Sequence, residues 1–148
     1  MIEFVIHGQP CSKSNTSQIV RLPGDRVSIG KSKDAKGYER FALKQIPPTA
    51  RQRLEGPVRV SMRLFYADER RDLDESLILD CLQDRWKRDK ASGERVLIQS
   101  GVYRNDRQVR ERHIWHAIDK ADPRAVIRIE PMLAQQIGLD LPEPPDVF

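Results

Sequence analysis

The chain has 148 residues and a formal net charge of +4, with charged and hydrophobic fractions of 32% and 39%. This length suits a single domain with its own hydrophobic core, and the composition argues against disorder along the whole chain. No apolar stretch is long enough to span a bilayer and the N-terminus lacks a signal-peptide pattern, so we expect a cytoplasmic protein without a membrane partner.

The first third of the chain predicts a strand, a hairpin and a helix, in that order. Residues 2–7 are mostly β-branched or aromatic and precede a Gly-Gln-Pro turn, which favours a strand. Residues 19–22 and 26–29 flank Pro-Gly-Asp and predict a hairpin. Asp34 is a candidate N-cap for a helix that continues to Gln45, just before two consecutive prolines.

The middle of the chain predicts a half-buried strand followed by a helix. Val58, Val60, Met62 and Leu64 alternate with polar residues, as in a strand with one buried face. The helix is predicted because apolar residues recur on one of its sides, where they would pack on the sheet. These residues are Leu77, Ile78, Cys81, Leu82 and Trp86.

The last third predicts a loop and two strands. Residues 87–101 are polar and contain two Ser-Gly turn signals, so they are expected to form a loop. Residues 109–118 and 125–130 predict two strands joined around Asp122 and Pro123 as an antiparallel hairpin.

The order of these elements predicts a small single domain of the α/β (α+β) class, with a mixed β-sheet and helices packed mainly on one face. We expect this domain to span residues 1–131, with a Pro-rich tail at residues 132–148.

Two short acidic segments carry the strongest indication of chemistry. Asp72 and Asp74 follow the predicted strand, and side chains two residues apart in an extended segment lie about 7 Å apart on one side, with Leu73 turned back to the core. Asp106, beyond the predicted helix, is the natural third carboxylate. Mg²⁺ prefers carboxylate oxygens and takes further ligands from water and phosphate, so these three predict a magnesium site. The alternative is a solvated turn in which Asp74 caps the helix.

Basic residues are concentrated in the N-terminal third. Residues 12–53 contain ten Lys or Arg and three acidic residues, which favours a polyanionic partner there, although a solvated basic face explains the same composition. Trp86 and Trp115 are expected to be core or interface residues rather than platforms for stacked bases.

Several short segments together resemble the RusA family of Holliday junction resolvases, enzymes of DNA recombination and repair that phages and prophages commonly encode. The resemblance lies in the order and spacing of the segments and runs from about residue 2 to residue 130. The segments are residues 4–10, 12–15, 32–33 with 38–39, 71–74 and 105–109.

The resemblance implies a homodimeric, magnesium-dependent endonuclease that binds four-way DNA junctions and makes paired nicks in opposing strands, with Mn²⁺ as a possible substitute metal. The family's catalytic and metal-binding carboxylates would be Asp72, Asp74 and Asp106. Together with the basic composition, the resemblance also makes a set of cations candidates for DNA binding. These are Lys13, Lys31, Lys33, Lys36, Arg70, Arg71 and Arg107.

The chain departs from the family pattern at a few positions. Glu75 stands where the family usually has Asn, and Ile78 stands where a Lys usually follows. Glu75 is therefore a candidate further metal ligand, and Lys87, Arg71 or Lys13 are candidates to supply the missing positive charge. Asn105 replaces a second Asp, and residues 88–100 form a longer connection than usual. The alternative to an active nuclease is a catalytically impaired protein that still binds junctions.

Overall fold

The computed structural model describes residues 1–12, 17–22, 26–31 and 33–132, and for residues 17–22 and 26–31 it describes the backbone. It contains eight strands and two helices in these ranges. The strands are β1 (Ile2–His7), β2 (Ser17–Leu22), β3 (Arg26–Lys31), β4 (Val58–Tyr66), β5 (Arg85–Arg88), β6 (Arg95–Gln99), β7 (Val109–Ile118) and β8 (Arg124–Pro131). The helices are α1 (Lys33–Gln45) and α2 (Ser76–Leu82).

A four-stranded sheet in the order β1-β8-β4-β7 forms the centre of the domain. β4 pairs parallel with β7 and antiparallel with β8, and β8 pairs antiparallel with β1. The predicted mixed sheet is therefore confirmed. The predicted pairing of the last two strands as a hairpin is wrong, because β4 lies between them. Their connection crosses the end of β4, where the Asp119 amide donates to the Tyr66 carbonyl over 2.8 Å.

One face of this sheet forms the hydrophobic core with both helices. Alternate residues of β4 from Val58 to Tyr66 are at most 2% exposed, as the sequence pattern predicts, because the side chains of a strand alternate between its two faces. Ile127 and Ile129 of β8 extend this face. The apolar sides of α1 and α2 belong to the same core, so the helices cover one face of the sheet. None of the helices in the described ranges is both long and apolar enough to cross a bilayer.

In the first third of the chain the structure contains the predicted strands and helix, but the helix has a different N-terminal boundary. The backbones of β2 and β3 form the predicted antiparallel hairpin, and the turn between them lies outside the described residues. α1 begins at Lys33, so Asp34 lies in its first turn rather than at the N-cap. A carboxylate in the first turn still interacts favourably with the helix dipole. The expected tail spans residues 132–148, and all of it after residue 132 also lies outside the described residues.

The region after α2 differs most from the prediction. α2 ends at Leu82, and Trp86 lies on β5 with 43% of its surface exposed instead of packing beneath the sheet. Residues 87–101, predicted as a loop, contain most of an antiparallel hairpin formed by β5 and β6. We call residues 85–99 the basic hairpin.

The base of the basic hairpin is fixed by a partly buried ion pair and by a glycine. Asp84, whose side chain is 1% exposed, lies 2.8 Å from the Arg53 guanidinium and also accepts from the Gly101 amide over 2.8 Å. A Cβ atom at Gly101 would come within 2.4 Å of the Gln83 backbone, so only glycine allows this close approach. These contacts end α2 and turn the chain outward into β5.

Candidate active site

The first acidic segment lies in the loop that joins β4 to α2. Asp74 is half-buried and takes part in three hydrogen bonds. Its backbone amide donates to the Tyr66 hydroxyl over 3.3 Å. Its carboxylate accepts from Ser12 Oγ at Oδ2 over 2.6 Å and from the Ser76 amide at Oδ1 over 2.9 Å. The carboxylate of Asp74 therefore has a defined position at the start of α2. The expectation that Asp74 caps the helix is wrong, because the N-cap of α2 is Glu75 and Asp74 lies one residue before it, so the bond from the Ser76 amide closes a local turn.

Asp72 is exposed in the same loop. The expectation that Leu73 turns back to the core is wrong, because 41% of its surface is exposed. The loop has left the regular extended geometry of β4, so side chains no longer alternate strictly between a core face and a solvent face.

The second acidic segment is a 3₁₀ turn over residues 106–108 that is closed by a capping box. Asn105 Oδ1 accepts from the Arg107 amide over 2.9 Å, while Gln108 Oε1 accepts from the Asn105 amide over 2.9 Å. Gln108 Nε2 also donates to the Leu54 carbonyl over 2.7 Å. Asn105 and Gln108 thus build the turn, and Asp106 is left with an exposed side chain. Asn and Asp are comparable caps, which explains how Asn105 can replace the family's usual Asp.

The two segments approach each other through α2 and β7. The Asp106 amide donates to Gln83 Oε1 over 3.2 Å, just beyond the end of α2. On the other side, Glu75 Oε1 lies 3.3 Å from Arg112 Nη1 of β7. Arg112 is in register with Val60 of β4, six residues before the strand ends at Tyr66. The loop after β4 has therefore folded back along the sheet toward the second segment.

The pKa values of two buried tyrosines reflect the nearby carboxylates. Burial raises the pKa of Tyr66, and the nearby Asp74 and Glu75 carboxylates raise it further, although the bond from the Asp74 amide lowers it. Burial also raises the pKa of Tyr103 well above its ordinary value; the Asp106 and Asp80 carboxylates add to this rise, and Arg112 opposes it. We call the carboxylates of the two acidic segments, together with the carboxylate that α2 contributes, the acidic patch. Its members are Asp72, Asp74, Glu75, Asp80 and Asp106.

Sequence reasoning missed two residues of this region. Asp80 is a half-buried carboxylate on α2, and its signal was a single acidic residue within an otherwise apolar helix. Arg112 had no local signal, because its place beside Glu75 depends on the parallel pairing of β4 and β7.

The donor chemistry of the acidic patch suits magnesium, which binds oxygen ligands and often needs only one or two carboxylates when phosphate supplies others. Within the described ranges, no three or more His, Cys, Asp or Glu side chains form a ready-made metal cluster. Asp72 and Asp74 lie in the loop before α2 and Asp106 lies in the 3₁₀ turn, and in the described ranges they do not form a closed set of three ligands.

Five of the seven candidate DNA-binding cations have described side chains, and all five are exposed. Lys33 and Lys36 are exposed in the first two turns of α1. Arg70 and Arg71 are exposed in the loop that carries Asp72, and the charge of Arg71 acts on Tyr66. Arg107 is exposed in the 3₁₀ turn. Lys13 and the side chain of Lys31 lie outside the described part of the chain.

A comparison with protein families identifies the family of this chain. The family model described as endodeoxyribonuclease RusA matches residues 8–130. The chain belongs to the RusA family. A comparison with curated proteins found no match. Membership in RusA implies a nuclease that acts on DNA junctions, and it does not favour the alternative of a binding protein without nuclease activity.

The structure explains one departure from the RusA pattern. Ile78, at the position where the family usually has Lys, is 0% exposed within α2 and belongs to the hydrophobic core. Among the three cations considered as substitutes, Arg71 is exposed in the loop before Asp72, whereas Lys87 is exposed on the basic hairpin. Arg112, which is not among these three cations, pairs with Glu75 of the acidic patch.

Proposed function

We propose that this protein hydrolyses phosphodiester bonds in branched DNA, four-way junctions in particular, and that it requires a divalent metal, with Mg²⁺ as the natural ion and Mn²⁺ as a substitute. The observation that carries this proposal is that a RusA-family chain holds both of its acidic segments against α2 and β7. The Asp106 amide donates to Gln83 just beyond the end of α2, and Glu75 of the first segment pairs with Arg112 of β7. The exposed cations around them suit a substrate with a phosphate backbone.

Each part of the acidic patch has a proposed role. Asp72, Asp74 and Asp106 are the residues that would hold the metal; when bound, it would polarise the scissile phosphate and activate a water molecule. The bonds from Ser12 and Ser76 orient the Asp74 carboxylate before substrate arrives. Preorganisation of this kind lowers the cost of reaching the reactive geometry.

We assign Glu75 to holding Arg112 rather than to metal binding, because the two side chains are already paired. Arg112 would then supply positive charge beside the scissile phosphate, the part that lysine plays in the family pattern. Its side chain is 52% exposed, so it can reach a bound phosphate without leaving a buried position.

A homodimer suits the proposed reaction. A four-way junction presents two symmetry-related scissile phosphates, and a two-fold assembly presents two matching sites to them. Paired nicks in opposing strands follow from this symmetry.

The deciding experiment is cleavage of a synthetic four-way junction, with a linear duplex of the same sequence as the control, in Mg²⁺, in Mn²⁺ and in chelator. We expect metal-dependent nicks in two opposing strands of the junction and little cleavage of the duplex. Equal cleavage of both substrates would contradict junction selectivity. Salt-dependent binding of the junction without cleavage in either metal would establish the impaired binding protein instead.

The role of Arg112 gives a second expected result. Arg112→Gln should lower the cleavage rate by about a hundredfold, because a charge that stabilises the transition state is lost. Arg112→Lys should recover part of this rate. Arg63→Gln is the matched control, since Arg63 is also exposed on a strand of the same sheet but faces away from the core side to which Arg112 belongs. Single-turnover rates on the junction measure the effect, and equal losses in the Arg112 and Arg63 variants would remove Arg112 from the site.

A further inference from the structure

The basic hairpin exposes more apolar surface than its position at the protein surface requires. Trp86, Val96 and Ile98 are 43%, 51% and 61% exposed. A tryptophan is usually well covered, because its ring buries a large apolar area. Its exposure on a projecting two-stranded hairpin therefore indicates a surface that meets a ligand.

The charge of the hairpin indicates which class of ligand. Residues 85–99 contain five basic residues and two acidic residues. In the described part of the chain, four of the five basic side chains form no ion pair, namely Lys87, Arg88, Lys90 and Arg95, so their charge is available to a partner. An exposed aromatic ring among unpaired cations is the combination that binds single-stranded nucleic acid, with cations on the phosphates and the ring against a base. We therefore favour nucleic acid over a protein or lipid partner.

Trp86 is held in a defined place by Arg95. The Arg95 guanidinium carbon lies 5.0 Å from the centroid of the Trp86 ring, a cation–π contact across the two strands of the hairpin. This contact orients the ring while 43% of the residue stays accessible.

A cleft connects this ring to the acidic patch. It has a volume of about 470 Å³ and is lined by Trp86 and Arg95 at the hairpin and by Asp80 and Gln83 at α2. Gln83 accepts the hydrogen bond from the Asp106 amide. Gln83 and Trp86 are three positions apart in the sequence, which corresponds to at most about 10 Å of extended chain. A nucleotide against Trp86 would therefore lie in the same cleft as Asp80 of the acidic patch.

We propose that Trp86 is a stacking platform for an unpaired or unstacked nucleobase at the branch point of the DNA substrate, with the cations of the basic hairpin on the neighbouring phosphates. This inference rests on the proposed function and adds a residue that recognises the branch. Branched DNA offers such bases, whereas a fully paired linear duplex keeps its bases stacked, so Trp86 would contribute to selectivity for branched substrates.

The first test uses the fluorescence of Trp86. The chain has two tryptophans, so Trp115→Phe leaves Trp86 as the single one. We expect its emission to be quenched when a four-way junction is added without divalent metal, and much less when linear duplex is added. The reciprocal variant Trp86→Phe, which keeps Trp115, is the control and should show little change with either DNA.

The second test compares affinities. Trp86→Ala should bind the junction roughly tenfold more weakly, in line with the loss of one stacked base, while Trp86→Phe stays close to the wild type. The salt dependence of binding should be unchanged in both variants, because neither removes a charge. Circular dichroism establishes that each variant is folded, and light scattering gives its oligomeric state.

The outcomes separate this inference from the proposed function. Full junction affinity in Trp86→Ala together with unchanged Trp86 emission would overturn the stacking role and leave the nuclease proposal intact. Loss of a dimer in Trp86→Ala, with junction affinity falling in proportion, would overturn it in favour of a contact between two copies of the chain. Failure of the wild-type protein to bind any DNA at low salt would overturn the proposed function itself.

Discussion

Asp72→Asn and Asp74→Asn should each reduce junction cleavage by about a thousandfold or more while junction binding is retained or strengthened. Each change removes one negative charge from the proposed metal site and keeps the size of the side chain. Losses of this order accompany removal of a preorganised electrostatic contact to a transition state. Binding should not suffer, because a carboxylate near DNA phosphates repels them and its neutralisation removes that repulsion.

The two variants are best compared with Asp68→Asn. Asp68 lies in the same loop, and its Oδ1 accepts from the Arg70 amide over 2.9 Å, a contact that asparagine can also make. Its neutralisation therefore changes the local charge as the other two do and preserves the turn. Single-turnover cleavage in Mg²⁺ gives the rates, and titration without divalent metal gives the affinities. Wild-type cleavage by Asp72→Asn, or a loss in Asp68→Asn as large as in Asp72→Asn, would overturn the assignment of the metal site.

Local sequence patterns predicted the strands and helices whose form depends on neighbouring residues in the chain. The alternation from Val58 to Leu64 gave β4, and the stop at Pro47 and Pro48 gave the end of α1. The mixed α+β class followed from the order of such elements. Strand order did not follow, because the choice of β4 as the partner of both β7 and β8 depends on which apolar faces meet in three dimensions.

The error at Trp86 shows how a distant residue changes a local pattern. Leu82 and Trp86 have helical spacing, so the periodicity favours one continuous helix. In the structure, the buried carboxylate of Asp84 pairs with Arg53, 31 residues earlier in the chain, and this ion pair holds the chain outside the helix before Trp86. No window of sequence around α2 contains Arg53, so the hairpin and its exposed tryptophan could not be predicted from the helix itself.

The candidate site likewise has a part that sequence can propose and a part that depends on distant contacts. Asp72, Asp74 and Asp106 were proposed from their residue type and spacing and from segments whose order resembles a known family, and their role stays a prediction. The surroundings that position them were not predicted, since Ser12 reaches Asp74 from 62 residues away and Arg112 reaches Glu75 from 37 residues away. Acidic residues can therefore be found from sequence, whereas the contacts that orient them require the fold.

Ile78→Lys, which restores the residue usual in the family, should destabilise this protein rather than improve its activity. Ile78 is 0% exposed in the core side of α2, so a lysine there must either bury an ammonium group or disrupt the packing around it. We expect the free energy of unfolding to fall by about 4 kcal/mol or more. This is a large part of the 5 to 15 kcal/mol that is typical of a domain. Urea unfolding followed by circular dichroism measures the change.

Ile78→Val is the control for the packing alone and should cost about 1 kcal/mol. Because residue 78 is buried in the core, a lysine side chain there has to leave the core before it can reach the pair formed by Glu75 and Arg112. The cleavage rate per folded molecule should then not rise in Ile78→Lys, and it should still depend on Arg112. A stable Ile78→Lys protein that cleaves junctions faster than the wild type, with Arg112→Gln no longer harmful in that background, would show instead that residue 78 reaches the scissile phosphate and that Arg112 does not replace the family lysine.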